Sequence, residues 1–356
     1  MNLNILGWNE AYENAFQEYK AQGYVAGRVF AEYKSFYKVI YEGGELLAEI
    51  SGKLLYGAEL QQDFPAVGDW VVITPRQNEN RGTIHHVLPR KSKFSRKVAG
   101  TNTREQIIAS NIDTVFIVNS MNNDFNPRRI ERYLLLAWES GANPVIVLSK
   151  SDLCENLEEM IAETESVALG VPVHAVSTFE EAGILELKQY FKEGHTVALL
   201  GSSGVGKSSI INYFLGEKIQ KVQELRNDGQ KGKHTSTHRE IFVLPDGGLI
   251  IDTPGMREIQ LWDAGEGLQE AFEDIESVAA NCFFKDCKHE KEPGCAIREA
   301  IESGIIEEER LESYKKLEKE LYYLEKKQNN AVKLAQRKTK LQSKKTKERS
   351  FSYDAY

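Results

Sequence analysis

The sequence predicts a multidomain α/β protein: a small N-terminal β-barrel, a central α/β domain with a largely parallel sheet, and a helical C-terminal domain. Three observations predict it. Short runs of alternating apolar and polar residues fill the chain to about Lys97. From about Ile112, apolar strand-like runs alternate with helical stretches. Past about Gln260 the chain turns helical around a cluster of cysteines. A length of 356 residues suits two or three domains. Hydrophobic residues at 41% and charged residues at 28% fit a soluble globular protein with a real core.

The barrel rests on the alternating runs 24–30, 37–41, 45–50 and 70–74, punctuated by Gly43-Gly44 and by Pro65 and Gly68. Several short strands with turn signals between them read as a small all-β barrel, of OB type, over residues 1–98 with an N-terminal extension. A basic stretch follows: Arg90, Lys91, Lys93, Arg96 and Lys97.

The α/β domain, 99–260, predicts strands at 114–118, 144–148, 171–176, 197–200, 241–244 and 249–251. Helices are expected at 127–139, 157–167, 184–191 and 207–214. This alternation is the signature of a mostly parallel sheet. The last two strands, joined across Asp246-Gly247-Gly248, read as a hairpin.

Two stretches in this domain carry phosphate chemistry. Gly201-Ser202-Ser203-Gly204-Val205-Gly206-Lys207-Ser208 matches G-x-x-x-x-G-K-[ST], follows an apolar strand and opens a helix. Its glycines let consecutive amides curl around phosphate oxygens, and the helix N-terminus adds free donors. Lys207 is placed to reach the β- and γ-phosphates, Ser208 to bind Mg²⁺, and Ser209 completes the contact run. Asp252-Thr253-Pro254-Gly255 ends another apolar strand. Asp252 is expected in the Mg²⁺ shell, and the amide of Gly255 on the γ-phosphate.

A third stretch reads a base. Ser149-Lys150-Ser151-Asp152 follows the strand 144–148. Guanine offers two N–H donors on one edge that a carboxylate such as Asp152 accepts. Adenine would leave that carboxylate unpaired. The stem of Lys150 can lie along the base, and the backbone amide of Ser177 is the expected donor to guanine O6. The chain therefore resembles the GTPases, which carry [N/T]-K-x-D where this sequence has Ser149 first. The order is inverted, however. In Ras-like GTPases the P-loop comes first and the base motifs last. Here positions 149–152 and 177 precede 201–208, and D-x-x-G follows, so the order reads as a circular permutation.

The catalytic glutamine of Ras-like GTPases would follow the D-x-x-G glycine, and Met256 stands there. The segment 232–237, Gly-Lys-His-Thr-Ser-Thr, occupies the place of switch I. His234 is the candidate for positioning water, and the hydroxyls of Thr235, Ser236 and Thr237 are the candidates for the Mg²⁺ shell. Polar, glycine-containing residues across 226–238 suit a loop that orders with ligand.

Cys282-x₄-Cys287-x-His289-x₅-Cys295 offers three thiolates and one imidazole in a short loop, within a helical unit at 261–325. Such a set fills the tetrahedral shell of one Zn²⁺ and leaves no open position, so the site is expected to be structural. The N-terminus shows no signal-peptide pattern, and no apolar run is long enough to span a membrane. The expected setting is the cytoplasm, without membrane attachment, where thiols stay reduced. The formal net charge of -8 argues against nucleic acid, yet the tail 326–356 is basic: ten Lys/Arg and a single acid lie between Lys326 and Arg349. Segregated positive charge of this kind suits contact with phosphates.

Taken along nearly the whole chain, an OB-like barrel, a permuted GTPase and a C-terminal Cys/His cluster resemble the RsgA (YjeQ) family of small-ribosomal-subunit biogenesis GTPases. That resemblance implies GTP hydrolysis with Mg²⁺, one structural Zn²⁺, and docking of a free monomer on the small (30S) ribosomal subunit and its rRNA. It implies ribosome-stimulated turnover during late maturation. The alternative is a nonenzymatic RNA-binding assembly factor that holds GTP as a structural ligand.

Overall fold

The structure is a computed structural model that describes residues 2–58, 60–76, 79–97, 105–122, 125–216, 239–245, 247–252, 265–323 and 326. His234, Thr235, Gly255, Met256 and the tail past 326 lie outside the described residues.

The N-terminal helix α1 (Glu10–Lys20) is capped by the Asn9 side chain, which accepts from Tyr12 N. Tyr12 and Phe16, one turn apart, are its buried face. Strands β1 (Val25–Glu32), β2 (Tyr37–Tyr41) and β3 (Gly44–Ile50) follow, then the short helix α2 (Gly52–Gly57), β4 (Trp70–Pro75) and β5 (Arg81–Val87). β1 runs antiparallel to β2, β2 to β3, β5 to β4, and β4 back to β1, while β3 and β5 pair in parallel. The ring closes, so the barrel has no free edge to protect. Val29, Val39, Leu46, Val71, Ile73 and Ile84 fill it. This is the expected OB-type barrel. α1 and β5 are additions to the runs read from the sequence.

The basic stretch forms part of a two-stranded hairpin, β6 (Lys93–Lys97) with β7 (Glu105–Ser110). Arg90 is spent on structure: it donates to both carboxylate oxygens of the buried Asp69, at 2.7 and 2.6 Å. Beside it lies the joint between barrel and α/β sheet. Arg28 of β1, 1% exposed, donates to Leu6 O, Gly68 O, Asn111 O and Thr196 Oγ1. Burial pushes this guanidinium down to about 10, still far above neutral, so it stays charged. Thr196 opens the strand that leads to the P-loop.

That strand is β11 (Thr196–Leu200), in a sheet with β8 (Thr114–Ser120), β9 (Asn143–Ser149), β10 (Val173–Val176), β12 (Glu240–Val243) and β13 (Leu249–Asp252). The spatial order is β10-β9-β8-β11-β13-β12, and only β12 is antiparallel to its neighbour β13. Counted from β11 as first, through β12 and β13 and then on to β8, β9 and β10, the order becomes 6-5-4-1-3-2. The sheet then grows outward from its phosphate strand on both sides, as a doubly wound sheet does, with the chain cut elsewhere. The permutation inferred from motif order is thus built into the strand order. β12 also touches β1 at the pair Ala31 and Glu240, so sheet and barrel are continuous.

Both faces of the sheet are covered. Val115, Ile117, Ala198 and Leu200 face one core with Leu134 and Leu135 of α3 (Pro127–Ser140) and Val167 of α4 (Leu157–Val167). Phe116, Val118, Val197 and Leu199 face the other, with Ile184 and Leu187 of the 3-10 segment Ile184–Tyr190 and Ile210 and Ile211 of α5 (Lys207–Leu215). The helix after β8 and the helix after β11 therefore lie on opposite faces. Adjacent strands whose helices diverge open a crevice at their C-terminal ends, where α/β sheets bind ligands.

The helices α6 (Gly265–Ala271), α7 (Glu273–Ala279), α8 (Ala296–Glu302) and α9, residues 308–323, complete the chain. Phe272, Ile275, Ile297, Leu311 and Leu317 join the core that holds α3, which is thus covered by the sheet on one side and these helices on the other.

Candidate nucleotide site and metal centre

The P-loop leaves β11 at the centre of the sheet and ends in α5. Gly201, at φ +154°, passes so close to β8 that a Cβ would stand 2.3 Å from Val118 O. Gly206, at φ +93°, caps α5 in a left-handed conformation. Val205 between them is buried, whereas Ser203, Gly204, Ser208 and Ser209 are exposed. Lys207 Nζ donates to Gly201 O and Ser202 O, at 2.8 and 2.5 Å, which holds the ammonium at the mouth of the loop. Exposed backbone and hydroxyls at a helix N-terminus beside a fixed ammonium make an anion cradle.

The base motif ends β9, two strands away. Ser149 is buried, and its Oγ donates to Val205 O at 2.5 Å. Position 149 therefore ties the base motif to the P-loop. Lys150 adopts φ 60°, a left-handed turn that starts the 3-10 segment Ser151–Leu153 and leaves Asp152 exposed. Ser177 Oγ donates to Asp152 Oδ1 at 2.5 Å and accepts from Phe179 N and Glu180 N. The carboxylate is thus oriented from the next strand. The amide of Ser177, read from the sequence as the donor to guanine O6, donates here to Ala182 O at 2.9 Å, while its hydroxyl holds Asp152.

Asp252 is the last residue of β13, which pairs with the P-loop strand β11. Sequence reasoning passed over Arg129 of α3, whose Nη1 donates to Ser202 Oγ at 2.8 Å. Its only sequence signal is a basic residue in the first turn of a helix that follows a sheet strand.

The sequence-read cysteine cluster comes together. The ligand atoms of Cys282, Cys287, His289 and Cys295 all lie within 4.8 Å of one another. His289 Nδ1 is 3.6 Å from Cys282 Sγ and 3.5 Å from Cys295 Sγ. Tetrahedral Zn²⁺ with its usual bond lengths to sulfur and nitrogen would separate those atoms by about 3.6 Å. The donor set and its spacing fit the ion. Desolvation pushes the Cys287 thiol up to about 11, so a bound cation would have to displace its proton. Glu292 shapes the loop by accepting from the amides of Lys288, Glu290 and Lys291. Lys315 of α9 donates to His289 O at 3.0 Å and anchors it.

Comparison with known proteins decides the family. A sequence model described as RsgA GTPase matches residues 87–262. A small ribosomal subunit biogenesis GTPase RsgA from Methanosarcina acetivorans is 47% identical over 326 residues, 92% of this chain and 87% of that protein. The chain belongs to the RsgA family of GTPases. A second RsgA, from Oceanobacillus iheyensis, is 45% identical over 339 residues, 95% of this chain and 96% of the relative. Among solved structures, YjeQ from Thermotoga maritima superposes with a TM-score of 0.64 at 30% identity, covering 84% of this chain and 99% of that one. YloQ, described as a circularly permuted GTPase, gives a TM-score of 0.62 over 84% of this chain and 95% of its own, and at 24% identity it shows the fold. A model described as 50S ribosome-binding GTPase matches residues 196–335. That match begins on the P-loop strand and leaves out the base motifs upstream. Membership in a GTPase family makes this chain a GTP hydrolase with a role in ribosome biogenesis, and the nonenzymatic alternative is not favoured.

Proposed function

We propose that the crevice between β8 and β11 binds GTP with Mg²⁺ and hydrolyses it to GDP and phosphate on the small ribosomal subunit, during late maturation of that particle. The observation that carries this reading is the Ser149 to Val205 hydrogen bond, which locks a guanine-type motif onto a P-loop despite the inverted chain order. Asp152, oriented by Ser177, accepts the two donors of guanine, and the stem of Lys150 covers the base. Residues 201–209 wrap the phosphates, with Lys207 on the β- and γ-phosphates and Ser208 on Mg²⁺. Asp252 completes the metal shell and Gly255 meets the γ-phosphate. With Met256 unable to orient water, His234 does so, and Thr235 joins the Mg²⁺ shell.

The Cys₃His set holds one structural Zn²⁺, which supplies cross-linking of the loop and no chemistry to the nucleotide. The names of the relatives, small ribosomal subunit biogenesis GTPases, support the small subunit as the partner. The basic segment past Lys326 meets rRNA phosphates, the free protein is a monomer, and it works in the cytoplasm. Among the described residues no helix is long and apolar enough to cross a membrane.

Co-sedimentation with isolated subunits tests the partner. The protein loaded with a nonhydrolysable GTP analogue should pellet with small subunits and leave them when loaded with GDP. Equal pelleting with large subunits, or none with either, contradicts the proposal.

A further inference from the structure

Helix α3 stands between two parts of the molecule that the reading above leaves unconnected. Its first turn reaches the phosphate loop, where Arg129 Nη1 donates to Ser202 Oγ at 2.8 Å. Two residues on, Glu131 is 1% exposed and is gripped from the other side. Its carboxylate accepts from Arg310 Nη1 at 2.8 Å, from Arg128 Nη1 at 3.1 Å and from the hydroxyl of Ser313. Arg310 in turn donates to both oxygens of Asp274, at 3.1 and 2.9 Å, and to Ala271 O at 2.8 Å. Its guanidinium lies 4.3 Å from the centre of the Phe272 ring. The next residue of α3, Arg132, makes a bidentate pair with Glu320 of α9, both bonds 2.8 Å.

A buried guanidinium and carboxylate with this many partners cannot be separated cheaply, because each would be left charged and unpaired. α3, α7 and α9 therefore move together. At the other end, Ser202 is not a passive neighbour. Its carbonyl accepts from Lys207 Nζ at 2.5 Å, so a displacement of Ser202 displaces the ammonium that reads phosphate. Asn119, two residues past the pairing of Ile117 with Leu200, holds a buried Oδ1 that lacks a hydrogen-bond partner among the described residues.

We propose that Arg129 is a positioning residue of the nucleotide site: it fixes the phosphate loop through Ser202 and couples that loop, along α3, to the helices that carry the Cys/His loop. This rests on the reading of 201–208 as the GTP site. The coupling is reciprocal, as any coupling between binding equilibria must be. Loosening the α3 to α9 seam weakens the grip on nucleotide, and nucleotide tightens the seam.

The experiment is a pair of double-mutant cycles read by equilibrium binding of a fluorescent GDP, with a thermal melt to verify folding. In the first cycle, Arg129→Ala and Ser202→Ala each raise the GDP Kd about tenfold, the size of one charge-assisted hydrogen bond. The double variant is no weaker than either alone, and Arg129→Lys recovers part of the loss. In the second cycle, Glu320→Ala, which removes the α9 partner of Arg132, about one turn along α3 from Arg129, raises the Kd about threefold in the wild-type background. In the Arg129→Ala background it has no effect. Effects that multiply in the first cycle, or a Glu320→Ala effect of the same size in both backgrounds, overturn the coupling. Ser202→Ala leaves the ion pairs of α3 intact, so it carries the test if Arg129→Ala proves unstable. A wild-type protein that fails to bind GDP, or binds ADP as well, overturns the reading of the site itself and the proposal with it.

Discussion

Asp152→Asn isolates base recognition from everything else the site does. Asp152 is exposed and its side chain packs into no core, so the substitution leaves the fold intact. Ser177 Oγ donates to Oδ1 at 2.5 Å and can donate equally to an amide oxygen, which keeps the replacement side chain oriented. What changes is one acceptor. The carboxylate takes both guanine donors, whereas the amide takes one and turns an NH₂ toward the other. A hydrogen bond to a charged group contributes about 1.5–3 kcal/mol, and a buried donor facing a donor adds to its loss. A net penalty of about 2–4 kcal/mol follows, or roughly a 30- to 1,000-fold weaker GTP complex. Xanthine carries a carbonyl where guanine carries the amino group, so the same NH₂ finds an acceptor and XTP binding rises. Competition of GTP and XTP for the variant measures both changes. An unchanged preference for GTP in a folded variant would remove Asp152 from the base site.

His234→Ala should depress subunit-stimulated turnover at saturating GTP while leaving GTP affinity nearly intact, the pattern of a contact made chiefly in the transition state. A stimulated rate equal to wild type would make His234 a bystander. Purified protein should carry about one Zn²⁺ per chain, reduced in Cys287→Ser and His289→Ala; full metal in both variants by elemental analysis, or none in wild type, refutes the centre. Arg28→Met takes its donor from Leu6 O, Asn111 O and Thr196 Oγ1, while Gly68 O keeps the one from Asn111 Nδ2, so barrel and sheet should separate more easily by about 3–5 kcal/mol in denaturant titration, and a loss under about 1 kcal/mol contradicts that role.

The elements that carry chemistry were legible because their chemistry forces local sequence. A loop that wraps phosphate needs glycines at 201, 204 and 206, and a tetrahedral metal site needs its four donors close together, so both announce themselves in a single chain. The permuted order was readable because motif order along the chain is read directly. The strand ends moved by a few residues: β10 spans Val173–Val176 where 171–176 was expected. The expected helix 184–191 is a 3-10 segment, Ile184–Tyr190, since no periodicity in seven residues separates the two. α1 escaped because its apolar face is aromatic and sparse, Tyr12 and Phe16 among charged residues, and acquires meaning only against Trp70 of the barrel. The roles of Ser149, Ser177 and Arg129 were not legible for a different reason. Each depends on a partner far away in sequence, Val205, Asp152 or Ser202, and a hydrogen bond across the sheet leaves no spacing rule behind. Arg90 belongs to the same group, since its partner, the buried Asp69, lies 21 residues upstream.

GTP turnover by the wild-type protein, measured in parallel with purified small subunits, with large subunits and with neither, tests the central claim most directly. Slow hydrolysis alone, strong acceleration by small subunits and little by large ones is the expected result, because phosphoryl transfer here depends mostly on positioning that a docked switch supplies. Hydrolysis that small subunits leave unchanged, or that large subunits accelerate as much, would contradict it.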